Sequence, residues 1–135
     1  TGYVFSGWYT TQSSGGALVG AAGATYSPTS AITLYARFSG IVYTINYNGN
    51  GNTGGTVPAN TVAASTANVN LASNSGSLVR TNFVFAGWNT LANGTGTSYP
   101  EGSSYAPVGN ITLFAYWVPA CVPTTAAANA IRPNL

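Results

Sequence analysis

Asn46, Asn48, Asn50 and Asn52 stand at every second position of the stretch NYNGNGNTGG. Alternating oxygen-bearing side chains are how calcium loops set out their ligands. All four residues here are neutral amides, and a calcium site without carboxylates is weak. The same Asn residues, interleaved with glycine, have the chemistry of a turn, because both residue types accept positive φ. We expect Asn48, Gly49, Asn50 and Gly51 to form a turn and the chain to hold no metal ion.

Other chemistries are excluded by composition. Acid–base or nucleophilic catalysis needs a base placed beside a nucleophile, yet the chain has no His and no Lys, and Glu101 is its one side-chain carboxylate. No catalytic residue and no cofactor is expected. Arg37, Arg80 and Arg132 are the only cations. They form no basic patch, which removes nucleic acid as a partner. Charged residues make up 3% of the chain against about 25% in an ordinary domain, so copies repel one another little and self-association is favoured. The lone Cys121 excludes an internal disulfide or a thiolate zinc cluster. It lies in VPACVPTT, where the flanking prolines predict an extended linker and an unpaired thiol. NGT at Asn93 and NIT at Asn110 match the N-glycosylation pattern, as chance matches do in a sequence rich in Asn and Thr. Four tyrosines, Tyr9, Tyr35, Tyr99 and Tyr116, are candidate glycan contacts, since aromatic faces stack on sugar rings; core packing is the stronger prior for aromatic side chains.

These residues must be positioned by something, and the chain is not a disordered tract. Three Trp, nine Tyr and five Phe alternate with Val, Ile and Thr, where a disordered segment would be poor in all of them. YVFSGWYT at residues 3–10 returns as FVFAGWNT at residues 83–90, and YSPTSAITLYARF at 26–38 returns as YAPVGNITLFAYW at 105–117. Trp8 and Trp88 are 80 positions apart, Ile32 and Ile111 are 79 apart, and the one-residue difference falls in a glycine-rich loop, where length changes are tolerated. A period of this length fits a string of small modules. The expected domains are the latter part of one module at residues 1–40, a complete module at 41–118, and a linker or the start of a further segment at 119–135. The chain contains no Met, so its first residue reads as a processed or cut end.

Within the complete module, IVYTINYN alternates with Tyr43, Ile45 and Tyr47 on one face, the period of a half-buried strand. The Asn-Gly stretch predicts a hairpin connection, with a second strand from about Thr56. A short helical turn is expected at residues 63–67, then an extended NVNLA. FVFAGW and ITLFAYW supply later strands, giving four or five strands with at most one short helix. Gly7 and Gly87 precede tryptophans inside strands, which marks a bulge or a close backbone approach. The predicted core is Trp8, Phe85, Trp88, Leu113 and Trp117. No run approaches the ~18 apolar residues of a membrane span; GGALVGAAGA is short and glycine-broken.

NFVFAGWNTLANGTGTSY followed by ITLFAYW, and preceded by YTINYNGNGNTGGTVP, resembles the Listeria-Bacteroides repeat, the group that includes the internalin B-repeat of bacterial surface proteins. The resemblance covers residues 41–117 as a full copy and 1–38 as the latter part of another. It implies tandem β-grasp-like modules, mainly β or β-rich α+β, on a secreted or wall-attached protein. The implied role is a stalk, adhesin or filament unit with no catalytic residue. The implied partners are neighbouring repeats or copies of itself, with surface glycans or a cell-surface protein as further candidates. A carbohydrate-binding module is the alternative.

Overall fold

The computed structural model describes residues 1–121. These form ten strands and no helix: β1 (Tyr3–Tyr9), β2 (Leu18–Gly20), β3 (Tyr35–Gly40), β4 (Val42–Asn48), β5 (Thr61–Ala64), β6 (Val69–Asn70), β7 (Phe83–Asn89), β8 (Ser98–Tyr99), β9 (Ser104–Tyr105) and β10 (Ile111–Pro119). The chain is mainly β, as the alternation of apolar residues requires. β1, β2 and β3 make a three-stranded sheet in the order β2-β1-β3, and the later strands make a five-stranded sheet in the order β5-β4-β10-β7-β8 with β6 and β9 paired separately.

The nine-residue β10 organises the larger sheet. Its first half runs parallel to β4, with Ile111 opposite Ile45 and Leu113 opposite Tyr47. Its second half runs antiparallel to β7, with Ala115 opposite Trp88 and Trp117 opposite Phe85. Leu113, Ala115 and Trp117 therefore point into one core together with Ile45, Tyr47 and Trp88, and Leu71 and Leu78 close it from the connecting segment. Phe83 and Phe85 pack at its margin.

Two connections differ from the sequence-based expectation. The stretch after β4 is no tight hairpin, and no strand begins at Thr56; β5 starts at Thr61. The intervening loop instead lies across the segment before β7, with Thr53 N–H and Thr56 N–H donating to the carbonyls of Val79 and Gly76 at 2.7 and 2.9 Å. The absence of a side chain at Gly55 and Gly76 permits that crossing, because a Cβ at either would strike the opposing backbone. Residues 63–67 form no helical turn. Ala63 and Ala64 are the end of β5 in register with Tyr43 and Val42, because half-buried pairing against β4 outweighs the helix propensity of alanine. A tight turn follows, closed by Ala67 N–H on the Ala64 carbonyl at 3.0 Å.

Candidate functional site

The repeated aromatic-x-Gly-Trp phrase is a bulged strand in both copies. In β7 the three residues after Phe85 match two on β10, so the register shifts across Ala86 and Gly87. In β1 the shift falls between Phe5 and Gly7 against β3. Gly87 has φ +110 and Gly7 φ +138, in the region that disfavours side chains. A Cβ on Gly87 would also collide with the carbonyl oxygen of Tyr99 on β8. The bulge turns the following indole onto the sheet face, as glycine within a strand allows.

In the five-stranded unit that indole finds a complete pocket. Trp88 is fully buried. Its ring lies 4.7 Å from Tyr47 and 5.2 Å from Phe85, and Phe85 lies 5.7 Å from Trp117, the two Phe85 contacts edge-on, in the geometry aromatic quadrupoles prefer. Each polar edge in this cluster is bonded: Trp88 Nε1–H donates to the Ala72 carbonyl at 2.8 Å, the Tyr47 hydroxyl accepts Ala72 N–H at 2.9 Å, and Trp117 Nε1–H donates to the Gly49 carbonyl at 3.0 Å.

The three-stranded unit contains the same arrangement with half of it open. Phe5 packs edge-on against Trp8 at 5.4 Å and Phe38 at 5.7 Å, reproducing Phe85 with Trp88 and Trp117. β1 pairs with β3 in the register of β7 with β10: Trp8 opposite Ala36, Phe5 opposite Phe38. Among the described residues no strand pairs with β3 in the place that β4 takes beside β10. The predicted core residue Trp8 is accordingly not buried; it is 40% exposed, because among the described residues no ring packs on it as Tyr47 packs on Trp88. Ile32 and Leu34, counterparts of Ile111 and Leu113, lie outside β3 altogether. An open groove of about 280 Å³ remains, lined by Trp8, Val19, Ala21, Ala24, Tyr26 and Leu34.

The predicted turn residues spend their polar groups on the backbone. Asn48 Oδ1 accepts Asn50 N–H at 2.8 Å, and Asn50 Nδ2–H donates to the carbonyls of Ala92 and Ala115 at 2.8 and 3.0 Å. Asn50 and Gly51 have φ of +50 and +81, and the Gly49 carbonyl accepts Asn52 N–H at 3.1 Å. Among the described residues no group of three or more His, Cys, Asp and Glu is placed to hold a metal. Of the four candidate glycan tyrosines, Tyr9 and Tyr35 stand opposite one another in the β1–β3 register, while Tyr99 and Tyr116 lie in the five-stranded unit. Tyr9 lies under the Arg37 guanidinium at 4.2 Å, Tyr99 packs edge-on against Tyr105 at 5.3 Å beside the core, Tyr35 is half-buried on β3, and Tyr116 is half-buried on β10 beneath Gly94. Burial, and then the neighbouring Tyr99, push the Tyr105 phenol above its ordinary pKa. Asn110 Oδ1 accepts Thr44 N–H at 2.9 Å and Asn93 Oδ1 accepts Thr95 N–H at 3.0 Å. Cys121 is exposed; the rest of the expected linker lies outside the described residues.

One structural residue carried no sequence signal of its own. Asn89 is fully buried, donates to the Gly94 and Gly96 carbonyls and to Ser98 Oγ, and accepts the N–H groups of Leu91 and Gly96. It ties down the whole loop between β7 and β8. The substitution of Tyr9 by Asn89 between the two copies was the available hint, since it places an amide beside a glycine-rich loop only once.

The Listeria-Bacteroides repeat domain matches residues 1–37 and 43–116, one match to each sheet unit. A protein described as a Gly-rich membrane protein in Evansella cellulosilytica is 34% identical over 130 residues, covering 87% of this chain and 14% of the relative. A protein described as a membrane protein in the same organism is 33% identical over 87 residues, covering 64% of this chain and 13% of the relative. The chain thus spans about a seventh of the length of the curated relatives it matches. No solved structure matches it. With the bulged Gly-Trp strand, its register and its aromatic cluster present twice at the spacing of the two matches, this chain belongs to the Listeria-Bacteroides repeat family.

Proposed function

We propose that the chain is a non-catalytic structural repeat segment of a bacterial cell-surface or membrane-associated protein, acting as stalk, adhesive surface or filament unit through contacts between repeats. The observation that carries this reading is the recurrence of one strand register and one edge-on aromatic cluster at an offset of 80. Supporting it, the relatives are described as membrane proteins several times longer than this chain. No helix among the described residues is long and apolar enough to cross a membrane.

Antibody against residues 41–118, applied to intact cells producing the parent polypeptide, should label the cell exterior, and the purified chain should show no saturable binding on a glycan array. Label only after lysis would overturn the location. Saturable glycan binding lost in Trp8→Ala or in Tyr9→Ala would replace the structural role with carbohydrate recognition.

A further inference from the structure

The two sheets are joined by one residue. β3 ends at Gly40 and β4 begins at Val42, so Ile41 alone separates them. Its N–H donates to the Gly2 carbonyl at 2.9 Å, continuing the β1–β3 ladder, and its carbonyl accepts Ser65 N–H at 2.8 Å, continuing the β4–β5 ladder. One residue thus belongs to both ladders, and the turn after β5 is brought against the residue ahead of β1. Ser65 Oγ reaches the Gly2 carbonyl at 3.5 Å. A Cβ on Gly2 would lie 2.5 Å from Thr66 Cγ2 and 3.2 Å from Ser65 Oγ. With no side chain at residue 2 the Thr66 methyl group fits beside it; a Cβ there would force Thr66 to move.

The first hydrogen bond of this joint recurs one repeat later. Ala120, 79 positions after Ile41, donates its N–H to the carbonyl of Asn82, 80 positions after Gly2, at 2.9 Å. Those are the offsets that relate Ile111 to Ile32 and Trp88 to Trp8. Gly2 and Asn82 share a left-handed backbone, φ +83 and +65. Asn82 nevertheless carries the Cβ that Gly2 lacks.

We propose that Gly2, Ile41, Ser65 and Thr66 form a clamp between consecutive repeats, whose partner surface is the turn after the second strand of the following repeat. The residue at the position of Gly2 decides whether the clamp closes. Glycine admits the Ser65–Thr66 turn and locks the two repeats into one stiff body; asparagine, which holds the same left-handed backbone at position 82, adds a Cβ at the place the Thr66 methyl group takes beside Gly2. This rests on the tandem-repeat reading only for the equivalence of residues 2 and 82. A failure of cell-surface labelling would leave it standing.

The test uses the full chain and the Gly2→Asn variant, chosen because asparagine tolerates positive φ and so adds a side chain without forcing the backbone. Backbone amide relaxation by NMR reads whether strands β1–β3 and β4–β10 tumble together. The expected result is a single shared correlation time in the parent chain, loss of that sharing in Gly2→Asn, and its return in Gly2→Asn combined with Thr66→Ala, which removes the obstructing methyl group. The clamp is refuted by shared tumbling in Gly2→Asn, or by a double variant that behaves like the single one, including one in which residues 1–40 lose their structure and Thr66→Ala does not restore it.

Discussion

Trp8 and Trp88 are the same residue in the same local phrase, and their difference isolates what burial contributes. Both follow a positive-φ glycine in a bulged strand, and both pack edge-on against a phenylalanine two positions before that glycine. Trp88 also has Tyr47 across its face and the Ala72 carbonyl on its indole N–H. Truncating a buried Trp of this kind removes the transfer energy of the ring and leaves a cavity, so Trp88→Ala should destabilise the five-stranded unit by about 3 to 5 kcal/mol. Trp8→Ala, at a site 40% exposed and open to solvent along the groove, should cost about 1 to 2 kcal/mol. Urea unfolding of both variants, followed by strand signals specific to each unit, checks the pair. Equal losses would mean that the groove beside Trp8 is closed in solution.

Strands here depend on their neighbours more than on their own residues. AITLYARF and NITLFAYW are near-copies, yet the second is a continuous strand from Ile111 while the first becomes regular only at Tyr35. The missing stretch, residues 32–34, corresponds to the residues of β10 that pair with β4. A strand segment without a ladder partner leaves its N–H and C=O groups to water and gains little from its side chains. Adding a copy of residues 41–81 ahead of residue 2 supplies the missing partner. In that extended chain, amide exchange at residues 32–34 should slow and Trp8 should be shielded from acrylamide quenching. Unchanged exchange at residues 32–34 would show that the groove does not accept a β4-type strand.

For the chain as a whole, low charge and an exposed apolar face act in the same direction. With three cations, one anionic side chain and no His, electrostatic repulsion between copies is small. Tyr3, Phe38, Ile32 and Leu18 are all exposed on the three-stranded unit, so this half presents the apolar surface that pairing would cover. Sedimentation of the chain should therefore show reversible association that grows with concentration. The extended chain, with its groove filled, should associate much less. A parent chain that stays monomeric at high concentration would remove self-assembly through this edge and leave the tandem stalk as the working arrangement.

The repeat, the strand character of most elements, the bulge glycines and the turn at Asn48–Gly51 were legible in the sequence, because each rests on local chemistry: alternation, positive φ, and side chains that bond to the backbone within a few residues. The near-absence of charge was equally readable. Tertiary structure decided the rest. Only the three-dimensional arrangement shows that residues 63–64 are strand and not helix, since their fate is set by Tyr43 and Val42, some twenty positions away. Only it distinguishes the buried Trp88 from the exposed Trp8, since what differs is a strand elsewhere in the chain. The fit of Gly2 beneath Thr66 is of the same kind: two residues 64 positions apart, each unremarkable locally, whose meaning lies in their approach.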